Sequence, residues 1–188
     1  MTSRKPETNM PAFRSLTLAY CLMLAGPALA QQAGQAPPAN ADGADQVVGL
    51  FGAACMQFAG NPTGVRGFLA QQGAPQMPQQ ARDAFLAGRS GQAFDVSFQN
   101  VRLALVSLDD GGCEAVADKA DPAAVVATLQ AEAKQNGVTL QSLGAQPDKA
   151  RAGVRHDAYS AIVGGKQMHV LVSTAPTPPQ AVLTLAPN

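Results

Sequence analysis

Two cysteines, Cys55 and Cys113, constrain this chain more than any other feature it carries. Cys113 follows directly on a turn of two aspartates and two glycines, in the stretch LVSLDDGGCEAVADKADP. A third cysteine, Cys21, lies in an N-terminal segment with the order of a secretory signal peptide. Arg4, Lys5 and Arg14 come first, then the apolar run SLTLAYCLML, then Gly26-Pro27 and the small-residue site ALA at 28–30. The run is well short of the roughly 20 residues a spanning helix needs. Residues 1–30 are therefore read as a signal peptide cut after Ala30, which leaves no transmembrane anchor in the mature chain. Tyr20 stands where a lipidated cysteine needs a small residue, so Cys21 leaves with the peptide. In an exported chain, two remaining cysteines most simply pair with each other. Such a bridge closes a long loop and stabilises by about 4 kcal/mol in the chain-entropy view.

The competing chemistry at Cys113 is weaker. A nucleophilic thiol needs a base, and His156 or His169 would have to serve, oriented by Asp109, Asp110 or Asp157. No nucleophile motif surrounds Cys113, and no Cys-x-x-Cys pair is present. Asp109, Asp110, Asp118 and Asp121 lack the alternating spacing of a calcium loop and suit turn and cap roles. Two histidines make an incomplete zinc site. We assign no catalytic residue, metal or cofactor from the sequence. Basic and acidic residues balance at 13 each, and no basic run occurs. Nucleic acid and anionic membrane surfaces are poor partners for such a chain.

The pattern of apolar residues changes period along the chain. Residues 31–44 are small, polar and proline-containing and read as a disordered leader, so the folded domain is set at 45–188. Val47, Val48, Phe51, Ala54, Cys55 and Phe58 recur at helical spacing up to Gly60. Asn61-Pro62 opens a second helix with Val65, Phe68 and Leu69 inward. A third short helix carries Ala81, Phe85 and Leu86. From Gln92 the period becomes two. QAFDVSF places Phe94, Val96 and Phe98 on one face, and VRLALVSL places Val101, Leu103, Leu105 and Ser107 together, with Gln99-Asn100 as the link. CEAVA is a third strand. Asp121 and Pro122 start one clear helix that Gly137 ends. VTLQSLG, a hairpin turning at Gly164-Gly165 and AVLTLA complete the strands, with AQPDKARAG as a polar loop. His156 and His169 flank the hairpin and are placed to face each other. The fold class is α+β: N-terminal helices plus an antiparallel sheet of five to seven strands, interrupted by one covering helix.

AACMQFAGNP at 53–62, DDGGCEAVA at 109–117 and the helix that begins DPAAV resemble a loose group of small, uncharacterised exported proteobacterial proteins and lipoproteins. That group shares a leading helix with one cysteine and a Gly-Cys strand with the other. The resemblance implies an exported α+β domain with one disulfide and brings no activity with it. The chain departs from the lipoprotein members in lacking a lipobox.

The function read from these features is that of an exported accessory or binding protein, periplasmic or secreted. Its partner is an envelope protein or a small molecule. Two alternatives stand beside it: an envelope hydrolase using Asp and His residues, and a small secreted enzyme inhibitor. Arg66, Met77 and Arg89 are the candidate partner surface, because the loop GAPQMPQQ offers a methionine between prolines; the rival and favoured reading is core packing of Phe68, Leu69 and Met77.

Overall fold

A computed structural model describes residues 42–98, 100–149, 151–176 and 179–188. The expected signal peptide at 1–30, and the leader up to residue 41, lie outside the described residues. The last three leader positions belong to the fold instead. Helix α1 spans Asp42–Leu50, and Gly43 and Ala44 are buried. A Cβ at Gly43 would overlap the Lys119 carbonyl oxygen, so the helix starts in direct backbone contact with the loop before the fourth helix.

The first apolar stripe behaves as its spacing predicts, with one addition. After Leu50 the helix widens into a π-turn, Phe51–Met56, closed by Gln57 N–H donating to Gly52 O at 3.1 Å. Phe51, Ala54 and Cys55, at i, i+3 and i+4 of this stretch, are each fully buried in the core against the sheet. Helix α2, Pro62–Gln71, opens where Asn61 accepts a hydrogen bond from Gly64 N–H at 3.0 Å. Its Val65 and Leu69 are buried in the same core, and Phe68 meets Phe58 with ring centroids 5.8 Å apart. Helix α3, Gln79–Leu86, ends at Ala87, whose φ of 49° is left-handed.

Seven strands follow, with α4 between the third and fourth. These are β1 Gly91–Asp95, β2 Leu103–Leu108, β3 Cys113–Ala117, β4 Gln141–Pro147, β5 Arg155–Val163, β6 Lys166–Pro176 and β7 Pro179–Pro187. They form one sheet in the order β1-β2-β3-β7-β6-β5-β4, antiparallel at every pairing. Two meanders, β1–β3 and β4–β7, thus meet at the β3–β7 pairing. Helix α4, Pro122–Gln135, links the middle of the sheet to its far edge, with Asp121 accepting from Ala124 N–H at 2.8 Å. Its Val125, Leu129 and Ala133 are buried. Helices α1, α2 and α4 and the π-turn share the core formed on one face of the sheet. Leu86 of α3 packs in a second cluster with Ala93, Val106 and Leu108 on the opposite face.

Three strand readings need correction. Strand β1 stops at Asp95, because the Asp95 carboxylate accepts from both the backbone N–H and the hydroxyl of Ser97 and bends the chain. Phe98, expected inward, is 57% exposed at the hairpin tip, and Gln99 of the expected link lies outside the described residues. In β2 every residue is buried, because α3 covers the face that alternation assigns to solvent. Strand β4 sits three residues later than VTLQSLG: Val138 and Leu140 pack against the core as a connector, and the strand runs on through Gln146-Pro147.

Cys55 and Cys113 are disulfide-bonded, with Cα atoms 5.4 Å apart. The two turns beside them make this approach possible. Gly60 (φ 67°) and Gly111 (φ 93°) pack backbone against backbone, and a Cβ at Gly111 would come within 3.1 Å of Gly60 Cα. The DDGG turn therefore receives the end of the π-turn segment, and that places Cys113 opposite Cys55. Replacing both cysteines with alanine is expected to lower the unfolding free energy by about 2–5 kcal/mol, read as a fall in the urea midpoint. Reductant added to the unaltered chain should produce the same fall.

Candidate functional site

An apolar opening of the helical layer lies between the π-turn and the C-terminal half of α4. It is a groove of about 430 Å³. Val48, Phe51, Leu129, Ala133 and Val163 are its buried floor, and Met56 and Val138 close its sides. Two glycines on one wall keep it open. A Cβ at Gly49 would meet nothing within 4 Å, and one at Gly52 would sit 3.4 Å from Glu132 Oε2. The π-turn belongs to the same wall, in line with the frequent occurrence of such turns at functional sites.

The groove carries one carboxylate, Glu132, beside the amides of Gln57 and Asn136. Burial raises the Glu132 carboxyl above the usual carboxylate range, and the Asp45 charge adds to the shift. The groove can thus hold an apolar body and offer one acceptor, or one partly desolvated negative charge, at its rim.

A second groove, about 480 Å³, runs between α3 and the other face of the sheet. Met77, Ala81 and Phe85 line one side, Ala104 and Val116 the other, with Asp95, Arg102 and Asp118 around it. Of the three residues read from the sequence as a partner surface, only Met77 lines this groove. Met77 is half-buried against the cluster under α3. The Arg66 guanidinium donates to the Ser107 carbonyl at 3.0 Å and pairs with Asp109. Arg89 donates to the Leu86 carbonyl at 3.0 Å and to the Phe85 carbonyl at 3.1 Å, and pairs with both oxygens of Glu114. Both arginines hold the scaffold together: Arg66 ties α2 to the end of β2, and Arg89 ties the end of α3 to β3.

The histidines are not cross-strand partners. His156 pairs with Ser173, and His169 with Ser160. His156 lies between two groups: Nδ1 is 2.8 Å from Ser173 Oγ and Nε2 is 3.0 Å from Asp148 Oδ2. The sequence hid this Asp–His–Ser arrangement, because it depends on the β5–β6 register and on the loop after β4. The same Asp148 oxygen also accepts from Arg151 Nε at 2.9 Å and Nη2 at 2.8 Å, and Asp148 N–H donates to the Val154 carbonyl at 2.8 Å. The arrangement pins Asp148 and Arg151 against β5. Among the described residues, no three His, Cys, Asp or Glu side chains are grouped to hold a metal ion.

No protein-family model, curated protein or solved structure matches the chain. Its class is therefore set by its own geometry: a disulfide-stapled α+β domain with an apolar groove in its helical layer.

A pH series tests the burial of Glu132. The folded state holds the Glu132 proton more tightly than the unfolded chain does. Its stabilising effect is complete below the unfolded-state value and is lost as pH rises through the raised one. Glu132→Gln is expected to raise the melting temperature at neutral pH, and the difference should vanish below the ordinary carboxylate range.

Proposed function

We propose that this chain is an exported binding protein of the cell envelope, periplasmic or secreted, whose ligand site is the groove between the π-turn and α4. The ligand is a small apolar molecule with one hydrogen-bond donor or cationic group that reaches Glu132. The observation that carries the reading is the groove itself. Its volume falls within the roughly 300–1,000 Å³ of ligand sites, and its apolar lining with a single charged group is the usual composition of such sites. Three features support export: the signal-like first thirty residues, the Cys55–Cys113 bond and the resemblance to small exported proteins. Among the described residues, no helix is long and apolar enough to cross a membrane.

The hydrolase reading comes second, on the Asp148–His156–Ser173 contacts alone. A general base needs its orienting carboxylate available to the imidazole, and Arg151 shares the oxygen that His156 uses. Neither groove described above reaches Ser173.

Phenylnaphthylamine, an apolar fluorescent arylamine, tests the groove directly, and the chain has no tryptophan to interfere. The expected result is saturable enhancement of dye emission, lost in Gly49→Leu while the melting temperature holds or rises. Unchanged dye binding in Gly49→Leu would overturn the assignment.

Export is tested by intact mass. Protein recovered from the periplasm or medium should begin at Gln31 and lack the two thiol hydrogens of Cys55 and Cys113; an uncut chain retained in the cytoplasm would contradict it.

A further inference from the structure

Helix α3 covers only part of the sheet face on which it lies. Phe85 and Leu86 pack with Ala93, Val106 and Leu108. Two residues along the strands, the register sets Asp95 of β1, Ala104 of β2 and Val116 of β3 side by side on that same face. Two residues further, Arg102 and Asp118 stand together, with Asp118 N–H donating to the Arg102 carbonyl at 3.2 Å. The groove of about 480 Å³ occupies this uncovered stretch, with Ala104 and Val116 as its floor and Met77, Ala81 and Phe85 as its wall. Its volume suits a small ligand. Helix α3, eight residues and so about 12 Å long, sets the length of the apolar part.

The open end of the groove carries the charges. Asp95 Oδ1 accepts from the Ser97 hydroxyl at 2.6 Å and from the Ser97 N–H at 3.0 Å, and these bonds hold the Asp95 carboxyl below the usual carboxylate range. Asp118 Oδ1 accepts from the Arg102 N–H at 3.0 Å. Each carboxylate is thus fixed through one oxygen, and among the described residues the second oxygen of each accepts no hydrogen bond. The Arg102 guanidinium stands 3.8 Å from Asp118 Oδ2, and its side chain is 88% exposed. Two fixed carboxylates against one solvated guanidinium leave this end of the groove with an excess of negative charge.

We propose that this groove is a second ligand site, which takes a small molecule with an apolar body and a primary ammonium group. The body lies on Ala104 and Val116 beside Met77 and Phe85, and the thioether of Met77 adapts to its shape. The ammonium group is held at the open end by the carboxylates of Asp95 and Asp118. Charge selects the occupant. An anionic ligand would meet two like charges for one opposite charge, and an uncharged arylamine lacks the group that the carboxylates hold. The site lies on the face of the sheet opposite the π-turn groove, so the two assignments stand or fall independently.

Decylamine, titrated below its micellar concentration into the isotope-labelled, disulfide-bonded chain, should shift the amide resonances of Ala81, Phe85, Ala104 and Val116 to saturation. Asp95→Asn keeps an oxygen for Ser97 and should weaken binding about threefold, and Arg102→Gln should tighten it by a similar factor. Asp118→Asn, which keeps an oxygen for the Arg102 N–H, takes the place of Asp95→Asn if that variant fails to fold. Resonances under α3 that do not move would overturn the proposal, and so would shifts confined to residues 49–57, which belong to the other groove. Tighter binding of decanoate than of decylamine would overturn it too, as would affinities that none of these charge changes alters.

Discussion

The Cys55–Cys113 bond joins the helical layer to the sheet from within the core that the two share. Cys113 opens β3, the strand that pairs the first meander with the last strand of the second. Cys55 sits in the π-turn, at the far end of the helical run that begins at Asp42. The bond therefore fixes the helical layer to the middle of the sheet, and both cysteines are part of the continuous core between them. The groove depends on this anchoring. Its wall is the π-turn, which carries Cys55 of the bond.

Phe51, Ala54 and Cys55 of the widened turn stand at i, i+3 and i+4, positions that share one face of a regular helix too, and all three are fully buried. The widening adds a backbone step beside the groove. Small residues make this tolerable, since Gly49 and Gly52 add no side chain on the groove side. Helix propensity is low at glycine, and here that weakness coincides with the place where the helix departs from regular geometry.

Much of this architecture was legible in the sequence, because local rules and tertiary packing agree over most of the chain. Asn61, Asp121, Pro62 and Pro122 start helices as capping chemistry requires, and Gly164-Gly165 turns the β5–β6 hairpin. The disulfide followed from counting the cysteines outside the signal-like segment. Legibility failed where a distant element changed the environment of a local pattern. β2 alternates less than expected because α3 lies over its second face, and β4 begins late because Val138 and Leu140 are claimed by the core. The candidate site was harder still. Glu132 stands among polar residues of an amphipathic helix, and nothing in its neighbourhood along the chain marks it as burying a carboxylate. Arg66 and Arg89 looked available to a partner because their acceptors, Ser107, Asp109 and Glu114, lie 25 to 43 residues away.

The two-meander topology also sets an order of assembly. Every element that the disulfide needs, from α1 to β3, lies before residue 118. A chain threaded across a membrane from its N-terminus would present both cysteines to the oxidising side while the second meander was still in transit. Three strands of the sheet can then form with their staple closed, leaving β3 with one open edge as a template. In such a passage β7 would dock onto that edge after the other strands of the sheet. Translocation and folding would then run in the same direction, with β7 joining β3 to β6 after every other strand of the sheet had crossed.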